Sequence, residues 1–191
     1  GRPVFSVNGE DVGASLLAAL AGCVSTTSVT LTPGPQRPVC DAAARALVLW
    51  RPHWRPDQKD VPAREAAAAE GLARFVGTAG CFASATLQRL PDNAPDRVPP
   101  LLAEPGAGPD TVVVVTVREL GPTLTLGASP ALVDGATEVR LDVAVSTRAQ
   151  PVPRAFTVQW RNGGPGVVKG VATLAQDLQA ALAAALQPRA P

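Results

Sequence analysis

The sequence predicts an α+β fold: a mixed, mostly antiparallel sheet with helices packed on one face, in the order β-α-β-β-β-β-α. Three observations predict it. Val139, Leu141, Val143 and Val145 alternate with Arg140, Asp142 and Ser146, and Phe156, Val158 and Trp160 repeat that period of two. Leu174, Leu178, Ala181, Leu182, Ala185 and Leu186 fall on one stripe of a helix, as do Ala69, Leu72, Ala73 and Val76. The strand signals cluster after one early helix, and laying both helices on one side of a single sheet is the economical way to bury their stripes.

Each element has its own warrant. Residues 24–39 read as linker or edge strand, with Thr30-Leu31-Thr32 ended by Pro33-Gly34-Pro35. Ala46 to Trp50 is a short apolar strand, and Arg51 to Pro56 is a loop because of its two prolines. Asp60 and Pro62 start a helix, with Glu65 toward its positive end, and Gly77 and Gly80 stop it. Phe82 to Leu90 is the next strand. Residues 91–110 hold six prolines at 91, 95, 99, 100, 105 and 109, and read as an irregular connection. Thr111 to Leu120 contains four consecutive valines, the mark of a central strand buried on both faces. Asn162-Gly163-Gly164 predicts a turn. Thr173 with Gln176 predicts a capping box for the last helix, and Pro188 ends it.

The chain has 191 residues, enough for one domain with a real core. Its formal net charge is +1 and only 17% of residues are charged, so it lacks the basic face that nucleic acid requires. It has 20 Pro, 17 Gly, no Met and no Tyr. Without Met, residue 1 is read as something other than a translation start.

The amino-terminal segment is the most informative. Ser15 to Gly22 is a short apolar run closed by small residues, the pattern of an export signal and too short to span a bilayer. Leu20-Ala21-Gly22-Cys23 resembles the bacterial lipobox. The resemblance implies a diacylglycerol on the Cys23 sulfur, cleavage just before it, and outer-membrane sorting, since no Asp follows. Val24 to Ser28 would serve as a polar tether. The alternative is an ordinary Ala/Leu helix with a buried cysteine. The expected organisation is therefore a signal-like segment over 1–22, a lipidated tether over 23–39, and one periplasmic α+β domain over 40–188.

Three cysteines leave an odd one in an exported chain. Lipidation of Cys23 would leave Cys40 and Cys81. Each stands just before an apolar run. If those runs are parallel strands joined by a helical crossover, both cysteines lie at the same end and are placed to bond. Such a bridge would close a loop of about 40 residues and stabilise the fold by roughly 3–4 kcal/mol. The alternative is a pair of reduced, buried thiols in a cytosolic protein.

The pattern of Val139 to Val145, then Phe156-Thr157-Val158-Gln159-Trp160, a Gly-rich turn and the Leu174 helix is similar to a recurring envelope domain. That domain occurs in the amino-terminal part of TolB, in the curli export lipoprotein CsgG and in the Pel polysaccharide export lipoprotein PelC. The resemblance runs from about Ala44 to Gln187. It implies a non-catalytic lipoprotein that assembles into, or rests on, an envelope machine, with envelope proteins or further copies of itself as partners. It carries no site residues.

No catalytic constellation stands out. A hydrolytic triad needs a base, and the chain has one histidine, His53, in a proline-flanked loop. Cys40, Asp41 and His53 are too scattered for a metal centre, so no metal or cofactor is expected. Gly163 to Gly170 lacks the spacing and the Ser or Thr of a phosphate loop. The unusual stretch is Trp50-Arg51-Pro52-His53-Trp54-Arg55-Pro56. Trp50, Arg51, His53, Trp54 and Arg55 are the partner-binding candidates, because tryptophan and arginine suit cation–π stacking and interface hot spots. Alternatively, Trp50 ends a core strand and Trp54 covers the edge of the core. The expected function is an accessory or structural subunit of an envelope export, assembly or appendage complex, anchored to the outer membrane. The alternative is a periplasmic glycan- or lipid-binding module.

Overall fold

The structure, a computed structural model, describes residues 25–91, 108–126 and 133–187. The signal-like segment 1–22 and the lipidation site Cys23 lie outside the described residues, as does most of the proline-rich connection. Six strands form one sheet: β1 (Thr26–Thr32), β2 (Asp41–Pro52), β3 (Phe82–Arg89), β4 (Thr111–Leu126), β5 (Val133–Thr147) and β6 (Arg154–Pro165). Two helices complete the fold, α1 (Val61–Thr78) between β2 and β3, and α2 (Leu174–Leu186) at the end. The sheet order is β1-β6-β5-β4-β2-β3. β2 runs parallel to β3 and β4, and all other neighbours are antiparallel. This is the expected α+β class and element order, preceded by one further strand. Of the two readings for residues 24–39, the structure has the edge strand.

Several strands outrun their sequence signals. β2 continues through Arg51-Pro52, where a loop was expected. Trp50 O accepts from Leu90 N toward β3 at 2.7 Å, and His53 N donates to Val117 O on β4 at 2.9 Å. Alternation therefore aims Pro52's absent donor at the β3 side, where the ladder has already ended at Trp50 and Arg89. β4 likewise continues through Gly121-Pro122, because past Val117 it pairs with β5 alone. Asn162-Gly163-Gly164 is not a turn but the last stretch of β6. A Cβ on Gly163 would lie 2.2 Å from Gly135 O and 2.4 Å from Ala136 Cα, so glycine is what lets the two backbones approach.

Both helices cover the same face and pack on each other. The sheet supplies Val115, Val117, Leu141 and Val158; α1 supplies Leu72 and Phe75; α2 supplies Leu174, Leu178 and Leu182, all buried in one cluster. The buried stripe of α1 is Ala68, Leu72 and Phe75; of the expected Ala69, Leu72, Ala73 and Val76, Leu72 is fully buried, Ala69 and Val76 are half-buried against the core, and Ala73 is exposed. The phenyl ring of Phe75 is the largest side chain on that side of the helix, and its burial sets the rotation. Gly71 lets the helices meet, since a Cβ there would come within 2.6 Å of Ala175 O. The capping box of α2 does not form. Thr173 has no cap hydrogen bond; its hydroxyl donates to Asp177 at 3.0 Å instead.

Cys40 and Cys81 are joined by a disulfide, with Cα atoms 4.6 Å apart. They precede the parallel strands β2 and β3 by one residue each, and Asp41 pairs with Phe82 in register. The amides of Val39 and Cys40 both donate to Leu186 O, so the bridge also fixes the carboxy-terminal end of α2.

Candidate functional site

The face of the sheet opposite the helices divides in two. Near β2 it is apolar and buried, at Leu49 and Val112. Toward β5, β6 and β1 it is polar and uncovered, and there it forms an open groove of about 810 Å³. The strand period places Glu138, Arg140 and Asp142 of β5 on this side, beside Gln159 and Arg161 of β6. A register shift between Val117 and Glu119 turns both Arg118 and Glu119 of β4 into the groove. The loop after β2 closes one end with His53, Trp54 and Arg55.

Ion pairs cross the strands and fix this surface. Arg118 Nε donates to Asp142 at 2.6 Å, and the Thr157 hydroxyl donates to the same carboxylate at 3.0 Å, linking β4, β5 and β6. Arg161 pairs with Asp134 at 2.9 Å and approaches Glu138 at 3.8 Å. Glu119 receives Arg55 at 3.3 Å and Arg64 of α1 at 3.1 Å. Arg140 stands in the middle, exposed, and makes no hydrogen bond or ion pair among the described residues. The groove thus offers one uncommitted guanidinium, a five-donor fork suited to a carboxylate or phosphate oxygen pair, between carboxylates already engaged.

The structure separates the five partner-binding candidates. Trp50 is 3% exposed and belongs to the core, so burial takes it out of reach of any partner. Arg89 lies over its ring at 5.4 Å and pairs with Glu65 at 2.9 Å, while Glu65 also accepts from the Trp54 indole at 3.3 Å. This relay ties the loop to α1. Trp54 is therefore half-buried against the core, showing only part of its ring to the groove. Arg51 is half-buried at the end of β2, in register with Thr116. His53 and Arg55 are exposed at the groove's end. The sheet residues Arg118, Arg140, Asp142 and Arg161 were not singled out from sequence. Their signal was the alternation of opposite charges at every second position of β5, which marks a wet face without marking a site.

Fold and groove together define a class: a sheet covered by helices on one side, with an open polar groove on the other. No protein-family model matches the chain, and no curated protein matches its sequence. Among solved structures, the chain is similar to the PelC dodecamer from Paraburkholderia phytofirmans at 15% identity and a TM-score of 0.45, over 86% of this chain and 100% of that one. It is similar to lipoprotein GNA1162 from Neisseria meningitidis at 17% identity and a TM-score of 0.38, over 72% and 94%. A neuraminyllactose-binding hemagglutinin homolog from Helicobacter pylori aligns at 9% identity and a TM-score of 0.41, over 82% and 91%. At these identities and TM-scores the likeness assigns neither partner nor activity.

Proposed function

We propose that this chain is a non-catalytic binding subunit of the bacterial cell envelope. It is carried at the outer membrane on a lipidated Cys23, faces the periplasm, and uses the open half of its sheet to hold a component of an export, assembly or appendage complex. The observation that carries the reading is the cross-braced groove itself. Its carboxylates are spent on arginines that brace the strands, which suits a preorganised recognition surface, and Arg140, without a hydrogen bond or ion pair among the described residues, is left to meet a ligand. The Cys40–Cys81 bridge supports export, because such bonds persist in oxidising compartments.

The test is an Arg140→Glu variant expressed in the source cell beside a Cys23→Ala variant. Cys23→Ala is expected to lose palmitate labelling and leave the membrane fraction. Arg140→Glu is expected to stay membrane-bound and folded while losing the envelope proteins that co-purify with the native chain. An unlabelled native protein, or co-purification unaffected by Arg140→Glu, would refute the reading.

A second reading places a glycan in the same groove. The part-exposed Trp54 ring beside planar polar groups on Arg140 and Gln159 favours it, and the volume falls within the usual range for small ligands, about 300–1,000 Å³. Oligosaccharide binding measured by calorimetry, lost in Arg140→Glu with no protein partner recovered, would select this reading over the first.

A further inference from the structure

We propose that β1 is a self-association edge, and that two copies of this chain pair their β1 strands antiparallel about a two-fold axis at Val29. β1 pairs with β6 on one side in unbroken register from Thr26 and Gly163 to Thr32 and Thr157. Among the described residues nothing pairs with its other side, and its burial is slight along its whole length. Alternate residues therefore turn N–H and C=O groups outward into solvent. A lone protein normally blunts such an edge with charge, proline or a bulge. Thr-Thr-Ser-Val-Thr-Leu-Thr has none of these within the strand. The opposite edge, β3, carries a charge, ending in Arg89.

The strand is complementary to itself. With Val29 on the axis, Thr26 faces the second copy's Thr32 and Ser28 faces its Thr30, so hydroxyl meets hydroxyl along the groove side of the sheet. On the helix side Thr27 faces Leu31, and Val29 faces Val29. No like charges are brought opposite each other, and aligned Ser/Thr pairs across strands are favourable.

Seven residues of strand pairing cover too little area for a stable dimer, which needs about 1,200–2,000 Å² in total. Further contact has to come from the helix side. There Thr27 and Val29 border a hollow of about 1050 Å³ between β1 and α2, walled by Ala180 and Ala184. Val29 is 39% exposed into this space. The alanines leave room for the apolar row of a second β1, and an isologous contact of this kind closes at two copies.

The test uses the chain with Cys23→Ser, so that a new cysteine is the only free thiol beside the Cys40–Cys81 bridge. Val29→Cys is expected to oxidise to a covalent dimer of twice 19.5 kDa on a non-reducing gel. Thr27→Cys, which faces Leu31 and not itself, is expected to remain monomeric under the same conditions. Sedimentation of the uncrosslinked protein is expected to give a dimer that Val29→Lys converts to monomer, since two ammonium groups would meet at the axis. A monomer at every concentration, an assembly that Val29→Lys leaves intact, or equal crosslinking by Thr27→Cys would overturn the proposal. Should Val29→Lys fail to fold, the two cysteine variants decide the matter alone.

Discussion

The two faces of the sheet are held by different physics. The helix side is a continuous apolar interior, where Leu141, Val158 and Leu178 are fully buried. Each such side chain contributes about 1.5–3 kcal/mol. The groove side is braced by ion pairs such as Arg118–Asp142, whose partners are 41% and 37% exposed. Exposed pairs contribute about 0–1 kcal/mol each. The helix side therefore holds the fold together, and the groove side spends its polar groups on shape and charge. A surface that contributes little to stability yet is cross-braced over three strands is free to be specialised for recognition.

The comparison breaks most easily on the helix side. Leu178→Ala is expected to cost about 4 kcal/mol, read as a lowered denaturation midpoint with unchanged slope. A loss below about 1 kcal/mol would mean that α2 is loosely seated. The next largest effect lies where a charge enters the apolar layer. Asp177, 6% exposed on α2, takes Lys169 at 3.0 Å and the Thr137 hydroxyl at 2.6 Å. Asp177→Ala leaves the ammonium and hydroxyl without their acceptor, and a loss of about 3 kcal/mol is expected in the same titration.

The groove side is expected to respond weakly. Arg118→Ala should change stability by less than about 1 kcal/mol, and raising salt should shrink that difference further. A larger loss would make the groove a structural element and weaken its assignment to binding. The smallest effect is at the far end of the sheet. Hydrogen bonds from the Arg45 side chain and amide, together with the nearby charges of Arg45 and Arg148, lower Asp110 from 3.8 to about 2. The folded value lies below the unfolded one. Its contribution is therefore whole above pH 3.8 and is lost as the pH falls toward about 2. Denaturant titrations at about pH 5 and about pH 2.5 should differ less in Asp110→Asn than in the native chain.

The contrast between faces also explains what the sequence revealed. Apolar periodicity is strong wherever one side of an element is buried, so β4, β5, β6 and α2 were legible at once. α1 was legible as a helix but not in its rotation, because eight of its residues are alanine or glycine and only a few large side chains, Leu72 and Phe75 among them, mark the buried side. β1 was ambiguous because a Ser/Thr strand buries almost nothing. The pairing of Cys40 with Cys81 was legible through topology, as both precede strands that a crossover makes parallel. The groove was not. It is assembled from β4, β5 and β6, residues far apart in sequence, and nothing local distinguishes Arg140 from any other outward-facing residue. Of the Trp50–Arg55 stretch, His53, Trp54 and Arg55 line the groove's end while Trp50 is buried in the core, a difference that residue type alone does not carry, because a tryptophan that ends a core strand has the same letter as one at a surface.

The most direct measurement is the intact mass of the protein extracted from the source cell's membrane fraction, with and without reduction, followed by thiol alkylation. The expected result is a chain beginning at an acylated Cys23, in which no sulfur reacts until the Cys40–Cys81 bond is reduced. A chain recovered unacylated from the cytosol, with all three thiols reacting at once, would contradict the envelope assignment.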